Sequence, residues 1–215
     1  PIVNNDDANE GAGRRWNLVS NPFPSYIDGS AFLTANAAII DTEYTGVYGW
    51  DGSDYVIYNQ LDFNSNVSIA PGQGFWVAAA SAVSAQLDFT ADLRTVSGSG
   101  DFVTGPELLT YNVALKLYNG EIEKAATDFY FRDGLSLDLD PGYDAGAFNQ
   151  STKLSTRLPQ GTQETAFARN AMGIDAMQNT RVPLEIRQNA GQVFSVSVAD
   201  MELPEDIYVY LEDTL

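Results

Sequence analysis

The 215-residue chain contains no cysteine and no histidine. Without cysteine there can be no disulfide, no thiolate nucleophile and no sulfur-ligated zinc or iron centre. Without histidine the chain lacks the commonest acid–base group near neutral pH and the commonest transition-metal ligand. Serine triads, cysteine dyads and ordinary zinc hydrolases are thereby excluded. Basic residues are also scarce, 11 against 29 acidic ones, for a formal net charge of -18. Such a chain repels phosphate backbones and anionic lipid, so nucleic acid is not an expected partner. An acidic surface instead favours solubility, attracts cations and suits a salty extracellular medium that screens its self-repulsion. Long apolar runs are missing too: the most apolar stretch, FWVAAASAVSA at 75–85, is broken by serines and falls short of the roughly 18 residues of a membrane-spanning helix. A soluble chain without membrane insertion is expected. It starts at Pro1 with no charged, apolar, small-residue leader, which reads as a mature or excised segment.

What is present points to β-structure. Hydrophobic residues make up 44% and aromatics 12% of the chain, enough for one large core or two smaller ones. Turn signals such as NPFPS, WDGSD, PGQG, SGSG, YNGE, RDG, DPGYD and LPED recur every eight to twelve residues or so. Between them lie strand-like runs: GVYGW, DYVIYN, GFWVAA, QLDFT, LTYNVALKLYN, DFYFR, VFSVSV and DIYVYLE. In VFSVSV the apolar Phe194, Val196 and Val198 alternate with Val193, Ser195 and Ser197, the pattern of a half-buried strand. Helical patterning is confined to SAFLTANAAII (30–40) and TQETAFARNAMGI (162–174), too little for an α fold and too irregular for a doubly wound sheet. The expectation is an all-β, antiparallel sandwich or jelly-roll-like architecture. The Gly/Ser-rich run at 95–107 divides it into modules 1–97 and 98–215, either as separate sandwich units or packed as one.

Three stretches are candidates for chemistry. In RDGLSLDLDPGYDAGAF, Asp138, Asp140 and Asp144 sit on glycine-bearing turns and with backbone carbonyls could hold calcium, the one candidate cofactor, although the EF-hand spacing is not met. Turn chemistry on an edge strand is the competing account. In WDGSDY, Trp50, Asp51, Asp54 and Tyr55 combine rings with carboxylates, which together with Trp76 could hold a sugar by stacking and hydroxyl hydrogen bonds. The alternative is a hairpin turn with Trp50 and Tyr55 as a cross-strand pair. In APGQGFWV the glycines lead into strand-like residues rather than a helix, which rules out a phosphate cradle. Gly72 and Gly74 are expected to free the backbone at this corner, with Phe75 and Trp76 on opposite faces. No carboxylate pair is nominated for glycosidase chemistry, so no catalytic residue is expected. Asn66–Ser68 and Asn149–Ser151 match glycan acceptor triplets, a frequent chance pattern.

Taken in order, GRRWNLVSNPFPSYID, VYGWDG, SIAPGQGFWVAA, ATDFYFRDGLSLDLDPGYDAGAF, VPLEIR and FSVSVADMELPEDIYVYLEDTL resemble a region of secreted and cell-surface proteins of Bacteroidota exported by the type IX secretion route. The resemblance spans nearly the whole chain, with Ala147 where lysine is common in that series. It implies an extracellular β-sandwich that usually precedes a C-terminal sorting domain, and it implies no catalytic residue. The function expected is therefore a non-enzymatic structural or adhesive module, self-associating or joined to other surface domains. The alternative is a carbohydrate-binding module with a polysaccharide partner, and a glycoside hydrolase or lyase ranks last.

Overall fold

Short alternating strands separated by turns cannot each bury an apolar face alone, so they pair into sheets that cover one another. A computed structural model describes residues 1–6, 13–50, 55–63, 68–82, 84–96, 111–149 and 153–213. The first half contains β1 (Trp16–Ser20), β2 (Tyr26–Asp28), helix α1 (Gly29–Ala35), β3 (Val47–Trp50), β4 (Tyr55–Tyr58), the single turn α2 (Gln60–Phe63), β5 (Ser68–Ile69), β6 (Gly74–Ala78) and β7 (Arg94–Thr95). The second contains β8 (Tyr111–Asn119), β9 (Ile122–Phe131), β10 (Ala145–Gly146), β11 (Leu154–Thr156), β12 (Phe167–Met172), β13 (Leu184–Ile186) and β14 (Ser195–Glu202). The molecule is all-β, as the turn spacing predicts.

In the first half a four-stranded sheet of order β1-β6-β3-β4 faces a three-stranded one of order β5-β2-β7. Val47, Phe75 and Val77 from the former pack with Ile27 and Ile69 from the latter and with Phe32 and Leu33 of α1. The helix is short because it is bounded on both sides. Asp28 caps its start by accepting from the Ala31 N–H at 3.0 Å, and buried Asn36 stops it, donating to the Phe32 carbonyl at 2.9 Å while accepting from the Asp88 N–H at 2.8 Å. The APGQG corner closes as a turn, Gln73 N–H to Ala70 carbonyl at 3.1 Å, with Gly72 at φ +70°. Only Gly72 uses the left-handed region that glycine tolerates, so Gly74 does not supply the freedom expected of it.

The second half forms one sheet of order β13-β11-β12-β9-β8-β14, with β10 added on β12. Its two edge strands both reach the same cluster: Leu184 and Ile186 of β13 and Val196 of β14 pack with Leu117 and Leu154. The sheet is therefore curled. Several expectations need correction here. The 162–174 stretch is not helical; Phe167–Met172 is the strand β12, held between β9, β10 and β11, where tertiary pairing overrides the helical preference of its alanines. The β9–β12 pair is parallel, whereas the remaining strand pairs are antiparallel. The expected strand at QLDFT is also absent as a paired element, as is DIYVYLE, whose residues 207–212 run without a sheet partner among the described residues.

Each half has its own apolar cluster, and two further clusters are shared. Trp16, Tyr44, Tyr48 and Trp76 of the first half enclose Phe148 of the second, and Leu61 of the first packs with Tyr130 and Ala171. Of the run at 95–107 that was to separate the modules, residues 97–107 lie outside the described residues.

Candidate functional site

Alternation along β1, β6, β3 and β4 gives the four-stranded sheet two unlike faces. Phe75 and Val77 enter the core, and Trp76 between them turns the other way, half-buried, as the alternation predicts. Register places Trp76 beside Leu18 and Tyr48 and Trp50 opposite Tyr55. One sheet face thus carries Trp16, Leu18, Trp76, Tyr48, Trp50 and Tyr55. Phe148, arriving from the loop after β10, plugs its centre: it stacks on Tyr55 at 4.1 Å and 14° and lies 4.5 Å from Trp16 and 6.0 Å from Trp76. Trp50 meets Tyr55 edge-on at 5.0 Å.

This arrangement divides the glycan candidates. Trp50 is 55% exposed and Leu18 62%, so these form the accessible margin of the face. Tyr55 has one ring face occupied by Phe148, and Trp76 is partly covered by the same residue. Asp51 and Asp54 lie outside the described residues. Trp50 and Tyr55 do form the cross-strand pair of a hairpin. Reading the sequence for carboxylates beside aromatics missed Trp16 and Phe148; the signal for Phe148 was its place at the end of GYDAGAF, a stretch weighed only for its acids.

Those acids do structural work. Asp144 is fully buried, and its two oxygens accept from the backbone N–H groups of Asp140 and Ala171, each at 2.7 Å. Burial pushes its carboxyl up to about 7, with the charges of Asp140 and Asp138 adding to the rise and the two N–H bonds opposing it. Asp140 accepts from the Ser136 N–H at 2.7 Å and hydroxyl at 3.0 Å, and Asp138 accepts from the Leu139 N–H at 2.8 Å. The three carboxylates are spent on separate backbone donors, and among the described residues no three acidic side chains are placed to hold a metal ion. These bonds are those of the turn-chemistry account, in which each carboxylate serves the backbone of its own loop.

The same loop joins the halves. The Tyr48 hydroxyl, fully buried, donates to the Gly146 carbonyl at 2.9 Å, and burial raises its pKa well above the usual tyrosine value. Asn59 and Tyr130 both donate to the Tyr143 carbonyl, each at 2.6 Å. A Cβ on Gly146 would lie 2.5 Å from the Tyr44 ring, so glycine alone permits this approach. Nearby, Arg169 of β12 reaches Asp128 of β9 at 3.1 Å and Asp62 of α2 at 2.6 Å. Burial works against the guanidinium charge, but the two carboxylates outweigh it and hold it protonated. A pocket of about 250 Å³ is lined by Leu135, Leu137, Gln160, Asp175 and Thr180. Its single carboxylate does not supply the pair that glycoside hydrolysis requires.

A family model matches residues 2–215, which is nearly every position of the sheets and junction just described. The chain belongs to the domain of unknown function DUF8693. No curated protein and no solved structure matches it. The match supports treating the two halves as one family unit, since it crosses the 95–107 boundary without a break.

Proposed function

We propose that this DUF8693 chain is a non-catalytic structural or adhesive module of a secreted or cell-surface protein, working through contacts with copies of itself or with neighbouring surface domains. One observation carries the reading. The perturbed and buried polar groups that could perform chemistry are consumed in structure: Tyr48 and Arg169 bond across the two halves, and Asp144 and Tyr130 hold the loop that makes the junction, while the first half's sheet leaves the large apolar side chains Leu18 and Trp50 exposed. The acidic composition and the resemblance to type IX-exported surface regions of Bacteroidota support an extracellular setting. Incubation with a panel of neutral and acidic polysaccharides should release no reducing ends and no unsaturated uronate. Turnover on any of them, abolished by changing a carboxylate, would overturn the proposal.

A second reading, a carbohydrate-binding module, is favoured by the exposed Trp50 at the margin of the aromatic face. Isothermal titration against the same polysaccharides decides it: saturable binding lost in Trp50→Ala supports the module, and an equal heat from both proteins removes it.

A further inference from the structure

The edge strand β14 has the apolar pattern of a buried strand without the burial. Val196, Val198 and Met201 lie opposite Leu117, Leu115 and Val113 of β8, and residues directly opposite in an antiparallel pair share a face. Val113 and Leu117 are 0% exposed, yet Val198 and Met201 are each 53% exposed on that same face. The concave side of the sheet therefore lacks its cover along one edge. That edge also presents unpaired backbone groups, the template for adding a strand. β14 carries one bulge, at Ala199, and no proline blunts it.

The chain also carries a strand-like sequence outside any sheet. Residues 207–212 read IYVYLE, are assigned to no helix, turn or strand, and have no strand partner among the described residues. Tyr208, Tyr210 and Leu211 are 73%, 84% and 70% exposed. At about 3.3 Å per residue these six residues would span ~20 Å as a strand, against ~26 Å for the eight residues of β14. It is not aimed at its own edge. Leu203 packs into the cluster with Met177 and Val182, and Glu212 pairs with Arg181 at 3.4 Å, which carries the segment toward the β13 side.

We propose that residues 207–212 of a second copy add to the free edge of β14, extending the curled sheet across the molecular boundary. Val209 and Leu211 then lie over the concave side beside Val198 and Met201, with Tyr208 and Tyr210 on the outer face beside Ser195 and Ser197. The donor and acceptor surfaces are different, so the contact is heterologous and propagates head to tail unless a rotation closes it. Acidic residues flank both ends of the donor, Asp206 and Glu212, and Asp200 and Glu202 lie at one end of the acceptor, so in either strand direction one acidic end of the donor meets them, and this like-charge approach makes the association strengthen as salt shortens the screening length. The inference rests on the reading of the chain as an assembling module, but the two fail separately: glycan turnover defeats that reading alone, and the wrong pairing below defeats this one alone.

The absence of native cysteine makes disulfide trapping clean. The full-length Val198→Cys protein is mixed with full-length Val209→Cys or Leu211→Cys protein under mild oxidation in 1 M salt, each variant first checked for an unchanged urea midpoint. The expected result is a mixed disulfide dimer roughly tenfold above the dimer formed by any variant alone, since pairing raises the effective concentration of the two thiols. Preferential Val198→Cys homodimers would show β14 meeting β14 and overturn the proposal. So would a monomeric internal disulfide in the chain carrying both changes, which would show the segment closing its own edge, and so would mixed dimer no greater than either control.

Discussion

Asp144 shows how a single carboxyl can tie a loop to a sheet and to the solution pH. Its folded carboxyl titrates near 7 against an ordinary value of 3.8. Between those values the folded state holds a proton that the unfolded chain has released, so this group makes stability fall as pH rises through the window, by at most ~1.4 kcal/mol per pH unit. Urea midpoints at pH 5 and pH 8 should show that fall, and Asp144→Asn should flatten it while costing ~1–3 kcal/mol at pH 5 because an amide group cannot accept both backbone N–H bonds. A variant with the wild-type slope would show that Asp144 is not the titrating group. A melt with and without chelator should give one Tm, since a bound ion would stabilise the folded state by mass action. At the aromatic face, exposed Trp50→Ala should cost under ~1 kcal/mol. Half-buried Trp16, which touches Tyr44, Tyr48 and Phe148, should cost ~3 kcal/mol when changed to alanine. Equal losses in urea titrations would mean that the two rings are equally buried.

The strands were legible where alternation was strict and a turn residue marked each end. β8, β3, β6 and β14 follow directly from that pattern. β12 was not, because FARNAM carries helix-forming alanines and owes its extended form to pairing with β9, β10 and β11, non-local contacts such as that of Ala171 with Tyr130. The junction was illegible for a related reason: Arg169, Asp62 and Asp128 are remote in sequence, and each alone is an ordinary surface charge. Replacing Arg169 by methionine leaves Asp62 and Asp128 facing each other without their cation, and should lower the unfolding free energy by about 3 kcal/mol, partly restored by adding Asp62→Asn and Asp128→Asn. Indifference to the single change would show that the junction does not depend on this ion pair. The GYDAG loop was readable as a set of turns, yet its purpose depends on Tyr44 and Tyr48, which no local spacing connects to Gly146.

At the scale of the molecule, two sheet systems with separate cores are fastened by one loop, one arginine and one aromatic plug. All three tryptophans, Trp16, Trp50 and Trp76, lie in the first half, so their fluorescence reports that half while circular dichroism reports the strands of both. If the fastening makes one cooperative unit, the two urea transitions coincide; separated midpoints would mean that the halves unfold independently. The surface left after this fastening is acidic, with an apolar sheet edge and an apolar strand-like segment that match each other in alternation but not in charge. Salt is the variable that separates those forces. The most direct measurement is sedimentation velocity of the full chain at 50 mM and 1 M sodium chloride, beside a variant carrying Val209→Asp and Leu211→Asp. The account predicts larger species for the wild-type chain that grow with salt and are absent from the variant. A wild-type chain that sediments as a monomer at both salt concentrations, or a variant that assembles equally well, would contradict it.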